Sequence, residues 1–423
     1  MRETFKSLAV FSASLLLILT VSSGCSVNIP GCGKRSLPLF KPVVENIQTI
    51  PASKEAPTDP SAAVPTASAA APSVAPSAAS LKPVSASQAA VVGSPTPTPQ
   101  PILESERIAY TTFENGKSSL YDMATSGTDP QRRNPVGSNA WFPLWSPNGK
   151  ILAFLSDIDG KANLYVQDKG SNQSKQLTFY EDLEIPTEDS SFVPFTWSPK
   201  SDQIVLIYRH QLVLVDLTQI SQVSLTTVDP LYQILSLEWA PRRSDRYIAF
   251  MVRQGDHFNS LRLVNPRLHD GIVLSEVRDT AGPISWSPDA SKVAYLIGDK
   301  SLYEVSYETL KAKLLFQSAT NVFGSLLQYS PSEGKSDLLL LARKNDDDKG
   351  FRVALLDKPA TSEADKGSLI YLTEPGVQEA SWSPDGSKIM YTIDGSLWVM
   401  DANGGNKKRV SLDVLRTPDW SKK

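Results

Sequence analysis

The feature that most limits how this chain can fold is a short pattern that returns along its last three quarters. Trp145-Ser146-Pro147-Asn148-Gly149-Lys150 reappears as Trp197-Ser198-Pro199, Trp239-Ala240-Pro241, Trp286-Ser287-Pro288-Asp289, Tyr329-Ser330-Pro331, Trp382-Ser383-Pro384-Asp385-Gly386 and Trp420-Ser421. Six of the eight tryptophans occupy this one position, at intervals of 52, 42, 47, 43, 53 and 38 residues. A repeat of roughly 40–45 residues with short apolar runs is the period of a four-stranded propeller blade.

Each part of the pattern has a physical reason. Proline presets φ at the second position of a turn, Ser and Asp bond nearby backbone, and glycine accepts the left-handed conformation of a hairpin bulge. A large ring recurring once per repeat, burying roughly 150–250 Å² each time, is best used as packing between blades. Trp145, Trp197, Trp239, Trp286, Tyr329, Trp382 and Trp420 are therefore read as structural. After each turn the sequence predicts a second strand, at Ile151–Phe154, Ile204–Tyr208, Tyr247–Phe250, Val293–Leu296, Leu338–Leu341 and Ile389–Tyr391, with Ile108–Tyr110 as the first copy. Third strands follow in every unit, among them Asn163–Asp168, Ser301–Ser306 and Ser396–Asp401, and then fourth strands, as at Lys175–Thr178, the first unit's being the least distinct, near Arg132–Val136. The first unit lacks its Trp-Ser-Pro strand, and the chain ends just after an orphan one at Trp420-Ser421. Pairing the orphan beside Ile108–Tyr110 completes an all-β, seven-bladed propeller over 104–423 and leaves no open sheet edge.

Trp382-Ser383-Pro384-Asp385-Gly386, followed by Lys388-Ile389-Met390-Tyr391, Leu397-Trp398-Val399-Met400-Asp401 and Gly404-Gly405-Asn406, resembles the WD40-like propeller repeat of TolB and the prolyl-oligopeptidase relatives. The likeness is strongest at 145–168, 286–306 and 382–412, and Trp239-Ala240-Pro241 and Tyr329-Ser330-Pro331 depart from it by lacking Asp-Gly. The resemblance implies a periplasmic scaffold that binds other proteins through one face or its central channel. TolB itself has a six-bladed ring beside an α/β domain, whereas the repeats here number seven.

The residues before the repeats differ in kind. Arg2 and Lys6 precede an apolar run from Leu8 to Val21, too short to cross a bilayer core of ~30 Å, which needs roughly 20 residues, but suited to a signal peptide over 1–24. Ser22-Ser23-Gly24-Cys25 resembles the lipobox of bacterial lipoproteins, with Ser22 where Leu is usual, and implies a lipid on Cys25. The alternative is an ordinary cleaved signal with Cys25 and Cys32 forming a small disulfide. From 25 to 103 the chain reads as a disordered tether. Residues 41–103 hold 12 Pro and 14 Ala, and no aromatic occurs between Phe40 and Tyr110, so there is little to bury. The expected setting is thus extracytoplasmic, on the periplasmic or cell-surface side of a membrane held through the lipid.

Composition narrows function mainly by exclusion. The net charge is −3, divided into +3 for the first 103 residues and −6 for the rest, which disfavours nucleic acid as a partner. Two cysteines and three histidines leave few ways to build a metal site, and no cofactor is expected. Gly-x-Ser-x-Gly and phosphate-cradling glycine loops are missing. His210, His257 and His269 read as surface or turn residues, and Asn345-Asp346-Asp347-Asp348-Lys349-Gly350 as a solvated hairpin loop without the spacing of a calcium loop. The long connection between the second and third blades is the best candidate partner surface. Tyr180, Glu181, Asp182, Glu184, Glu188, Asp189 and Phe192 lie on it, with Trp141 and Phe142 on the preceding connection; aromatics beside charges on loops of a rigid scaffold favour recognition. The expectation is a monomeric, non-catalytic module binding an envelope protein or cell-wall component. The alternative is a carbohydrate-active lyase or glycoside hydrolase with its site at the channel mouth.

Overall fold

The structure, a computed structural model, describes residues 106–422 except 187–191, 228–231, 242–246, 256–257, 280, 333–334, 336, 346–349, 363–364 and 413–415. The leader, Cys25 and the tether lie outside the described residues. Among the described residues, twenty-eight strands form seven separate four-stranded antiparallel sheets, arranged as a seven-bladed propeller. Blades two to seven run outward in chain order, and their inner strands are Ala140–Trp145, Phe195–Trp197, Tyr232–Trp239, Ala281–Trp286, Asn321–Tyr329 and Val377–Trp382.

Blade one is built from both ends of the repeat region. Its inner strand is Arg416–Trp420, followed outward by Arg107–Glu114, Lys117–Ala124 and Gln131–Arg132. The closing register sets Ile108 against Trp420 and Ala109 against Asp419. Just beyond it, Ser421 N–H donates to Arg107 O at 2.8 Å and Arg107 N–H donates to Ser421 Oγ at 2.7 Å. The orphan strand closes the ring as the missing and surplus segments implied.

The turns work as their composition requires. In blade two Gly149 N–H donates to Ser146 O at 2.8 Å, Ser146 Oγ donates to Asn148 Oδ1 at 2.7 Å, and Ile151 N–H returns to Ser146 Oγ at 3.0 Å. The same Ser-to-Asp bond, 2.6 Å long, recurs at Ser287–Asp289 and Ser383–Asp385. Gly149 and Gly386 both sit at φ 68°, a left-handed conformation open to glycine at little cost.

The hydrophobic core is distributed rather than central. Seven clusters fill the seven junctions between neighbouring blades. Each contains one recurring aromatic: Trp145 between blades one and two, then Trp197, Trp239, Trp286, Tyr329, Trp382, and Trp420 between seven and one. All seven are only 2–6% exposed. A strand face buried against the next blade needs a large apolar knob, and β-branched and aliphatic neighbours complete the packing. The first junction also buries charge: Asp122, 0% exposed, lies between the guanidiniums of Arg107 and Arg133.

Candidate functional site

The inner strand of every blade has a free edge toward the axis, where no further strand can satisfy its backbone. At four of the seven positions the side chain of the residue before the recurring aromatic answers that need. The set is Leu144, Thr196, Glu238, Ser285, Gln328, Ser381 and Asp419. Trp145 N–H donates to Asp419 Oδ2 at 2.6 Å, Trp286 N–H to Glu238 Oε2 at 2.9 Å, Tyr329 N–H to Ser285 Oγ at 3.1 Å and Trp382 N–H to Gln328 Oε1 at 3.1 Å. In each pair the acceptor belongs to the preceding blade. The result is a ring around the axis that is polar at every position but Leu144.

That ring divides the channel into two chambers. One, of about 570 Å³, opens toward the face formed by the connections between blades and the hairpins between second and third strands. The other, of about 520 Å³, is walled by the Trp-Ser-Pro turns. Glu238, Gln328, Ser381 and Asp419 border both, so they mark the waist. Ser236 and Glu238 line the first chamber from one strand, as do Glu379 and Ser381 from another. Among the described residues the other charged groups lining the channel are Arg253 and Glu379 in the first chamber and Lys200 and Lys422 in the second.

The two waist acids lack a counter-charge among the described residues. Burial pushes the Glu238 carboxyl up to about 8, with the Trp286 N–H and the Ser285 hydroxyl pulling against it. Burial likewise raises Asp419 to about 7, opposed by the N–H groups of Trp145 and Trp420. An acid whose folded pKa is raised keeps its proton where the unfolded chain has lost it, so folding weakens as pH climbs from about 4 to 8. Replacing Glu238→Gln and Asp419→Asn together retains an acceptor for each Trp N–H. The melting temperature of this variant should therefore exceed that of the wild type by a margin that widens from pH 4.5 to pH 8. A constant margin across that interval would mean that both carboxylates are fully hydrated.

The loop between blades two and three is more ordered in its contacts than its composition implies. Tyr180 stacks on Tyr208 with ring centroids 3.8 Å apart, and its hydroxyl bonds Gln222 Oε1 at 2.5 Å. Asn163 clamps its backbone from both sides, accepting Tyr180 N–H at 2.7 Å and donating to Tyr180 O at 3.1 Å. Tyr180 is therefore a packing residue, with its phenol raised well above the usual range by burial. Asp182 is exposed but engaged, accepting from Tyr208 at 2.8 Å and pairing with Arg209. Glu181 reaches Lys161 at 3.7 Å, and Glu184 is exposed. Phe192 lines the first chamber. Trp141 packs half-buried against the junction of blades two and three, and Phe142 is 3% exposed with φ 54°. Glu188 and Asp189 lie outside the described residues.

The most exposed aromatic on this loop is Phe179, at 68%, which the sequence reading passed over. His210 occupies the exposed hairpin turn beside Arg209, and His269 the turn after the strand Phe258–Val264. His257 and Asp346 to Asp348 lie outside the described residues. Among the described residues no three His, Cys, Asp or Glu side chains converge as a metal site.

No known family profile matches the sequence. It is similar to the Tol-Pal system protein TolB of Mannheimia succiniciproducens, 37% identical over 78 residues, 18% of each chain. TolB of Hahella chejuensis is 32% identical over 83 residues, 19% of each. The chain thus spans about a fifth of the length of the curated relatives it matches. Among solved structures, oligogalacturonate lyase in complex with manganese superposes with a TM-score of 0.54 at 15% identity, covering 72% of this chain and 84% of that one. That likeness speaks for the ring alone. The period, the seven four-stranded blades and the segment similar to TolB make this chain a seven-bladed β-propeller whose repeat resembles that of TolB.

Proposed function

We propose that the protein is a non-catalytic binding module of the bacterial envelope, held to a membrane by a lipid on Cys25. It would be carried clear of the surface by the 25–103 tether, and would receive a protein or cell-wall partner at the first chamber and its rim. The observation that carries this reading is a recess of about 570 Å³, floored by Glu238, Gln328, Ser381 and Asp419, in a ring whose repeat resembles that of TolB. Deep apolar pockets with a few convergent polar groups are where ligands are held. The rim adds exposed Phe179 and Glu184 on one connection.

Two measurements test it. Globomycin-sensitive acyl labelling should fall on Cys25 and vanish in Cys25→Ser; labelling absent from wild type removes the anchor. Envelope extracts passed over the full ectodomain should yield a partner that a Phe179→Ala, Glu184→Ala variant recovers several-fold less well. Tyr180 is unsuitable for that purpose, because truncating it would disturb the stack on Tyr208. Equal recovery by the variant would move the interface away from this rim.

A further inference from the structure

We infer that the chain pairs with a second copy of itself, outer edge to outer edge, through the fourth strand of blade three, Ser221–Thr227. Closing the ring still leaves each blade an outer strand with unpaired N–H and C=O groups. Such an edge templates further pairing unless it is short, charged or covered. Six of the seven edges have one of these guards. Gln131–Arg132, Ser174–Gln176 and Ser368–Tyr371 span only two, three and four residues. Gly271–Val277 exposes Glu276, and Lys408–Ser411 carries two cations. Ala312–Gln317 is covered from blade six, where Ala360 N–H donates to Leu315 O at 2.6 Å and Lys366 O accepts from Gln317 N–H at 3.1 Å.

Ser221–Thr227 has no guard. It runs for seven residues without a charge, a proline or a glycine, and among the described residues no group outside blade three bonds its backbone. Val223 stands 42% exposed on it. A second, independent observation lies in the turn that leads into the strand. The turns joining third and fourth strands hold a left-handed glycine in blades one, two, six and seven, at Gly127, Gly170, Gly367 and Gly404. Blades four and five have His269 and Leu310 at positive φ instead, both half-buried. Blade three has Ile220 at φ 50°, and it is 40% exposed. A β-branched residue in that conformation is strained, and strain that presents an apolar side chain to solvent points to a role outside the fold.

A second copy is the occupant that this edge suits. Around a two-fold axis, antiparallel copies of Ser221–Thr227 set only Ser, Gln, Val, Leu and Thr against one another, so no like charges meet. Ile220, one residue before the strand, extends the apolar contact at each end of the pair. The pairing uses up both edges, so assembly stops at two. One strand pair buries less than the roughly 1,200 Å² of a standard interface, so the dimer is weak, with a Kd on the order of tens of micromolar. The sequence led to the expectation of a monomer, whereas the edge of blade three points to this dimer.

Sedimentation velocity of the full ectodomain, from about 1 µM to about 1 mM, is the test. Wild type should pass from monomer to dimer and stop there, and hydrogen exchange of the segment 221–227 should slow as concentration rises. Val223→Lys places a cation on the edge of both copies, so it should weaken dimerisation at least about tenfold while the cooperative melt is kept. Ile220→Gly removes the left-handed strain together with the apolar side chain. It should weaken the dimer several-fold and raise the melting midpoint of the dilute monomer, a trade that a residue serving the fold alone would not show. Should Val223→Lys fail to fold, Ile220→Gly decides by itself. A monomer throughout the range, growth beyond the dimer, a dimer that either folded variant leaves intact, or dimerisation without slower exchange at 221–227 overturns the edge pairing.

Discussion

Deleting residues 416–423 should abolish the cooperative melt of the propeller or lower its midpoint by well over ten degrees, on the order expected when many kcal/mol are lost from one domain. The segment supplies the whole inner strand of blade one. With it go the pairings of Ile108 with Trp420 and Ala109 with Asp419, and the reciprocal bonds between Arg107 and Ser421. Trp420 packs in the junction of blades seven and one with Ile108, Tyr110, Met390 and Leu397, and truncating a buried Trp costs about 3–5 kcal/mol. Asp419 also leaves, freeing the Trp145 N–H in the next blade. The sum approaches the whole net stability of a typical domain, about 5–15 kcal/mol. The strand Arg107–Glu114 would become an open edge, so the product should also aggregate. Circular dichroism melts and size-exclusion elution would show both effects, and Trp420→Ala should fall between the deletion and wild type. A deletion that melts like wild type would mean that blade one holds without its inner strand.

That closure was readable because the Trp-Ser-Pro turn fixes the phase of every unit, so a missing first copy and a surplus last one are visible without any knowledge of contacts. Strand limits followed where alternation was clean: the third strands at Asn163–Asp168, Ser301–Ser306 and Ser396–Asp401 agree residue for residue with the sequence reading. They slipped where a side chain replaces a ladder bond. Blade one's outer strand stops at Arg132, short of the expected Val136, because Asn134 Oδ1 accepts the Leu120 N–H at 2.8 Å and turns the chain away. Blade two's outer strand ends at Gln176 for the same reason, Thr178 Oγ1 taking the Leu164 N–H at 2.9 Å.

The site was harder to read. Tyr180 has the composition of a recognition loop, but its environment is set by Tyr208, 28 residues away, which only blade packing brings beneath it. The waist was hidden differently. Its seven positions are in perfect register, one residue before each aromatic, yet they carry Leu, Thr, Glu, Ser, Gln, Ser and Asp. What repeats there is a place on the axis rather than a residue type, and a search for shared chemistry passes over it.

The junction of blades one and two offers the other large effect. Asp122 receives Arg107 Nε at 2.8 Å and Arg133 Nε and Nη2 at 2.8 and 2.7 Å, and both guanidinium side chains are 5% exposed. Arg133 extends to Ser171 O of blade two at 2.9 Å, while the Arg107 backbone holds Ser421 of the closing segment. The carboxylate therefore ties three parts of the ring together. Asp122→Ala leaves two guanidiniums buried without their shared anion, a loss of about 3–5 kcal/mol, or roughly 6–15 °C in melting midpoint. Asp129, which also meets Arg107 at 3.2 Å, is 61% exposed, so its replacement by Ala should change the melt little. Because a buried ion cluster can be exchanged for apolar groups of similar volume, Arg107→Met, Asp122→Leu and Arg133→Met combined should recover most of what Asp122→Ala loses. The comparison distinguishes uncompensated charge from lost packing. If the triple variant melts no higher than Asp122→Ala, the cluster's hydrogen bonds to Ser171 and Asp129, rather than its charge balance, hold the junction.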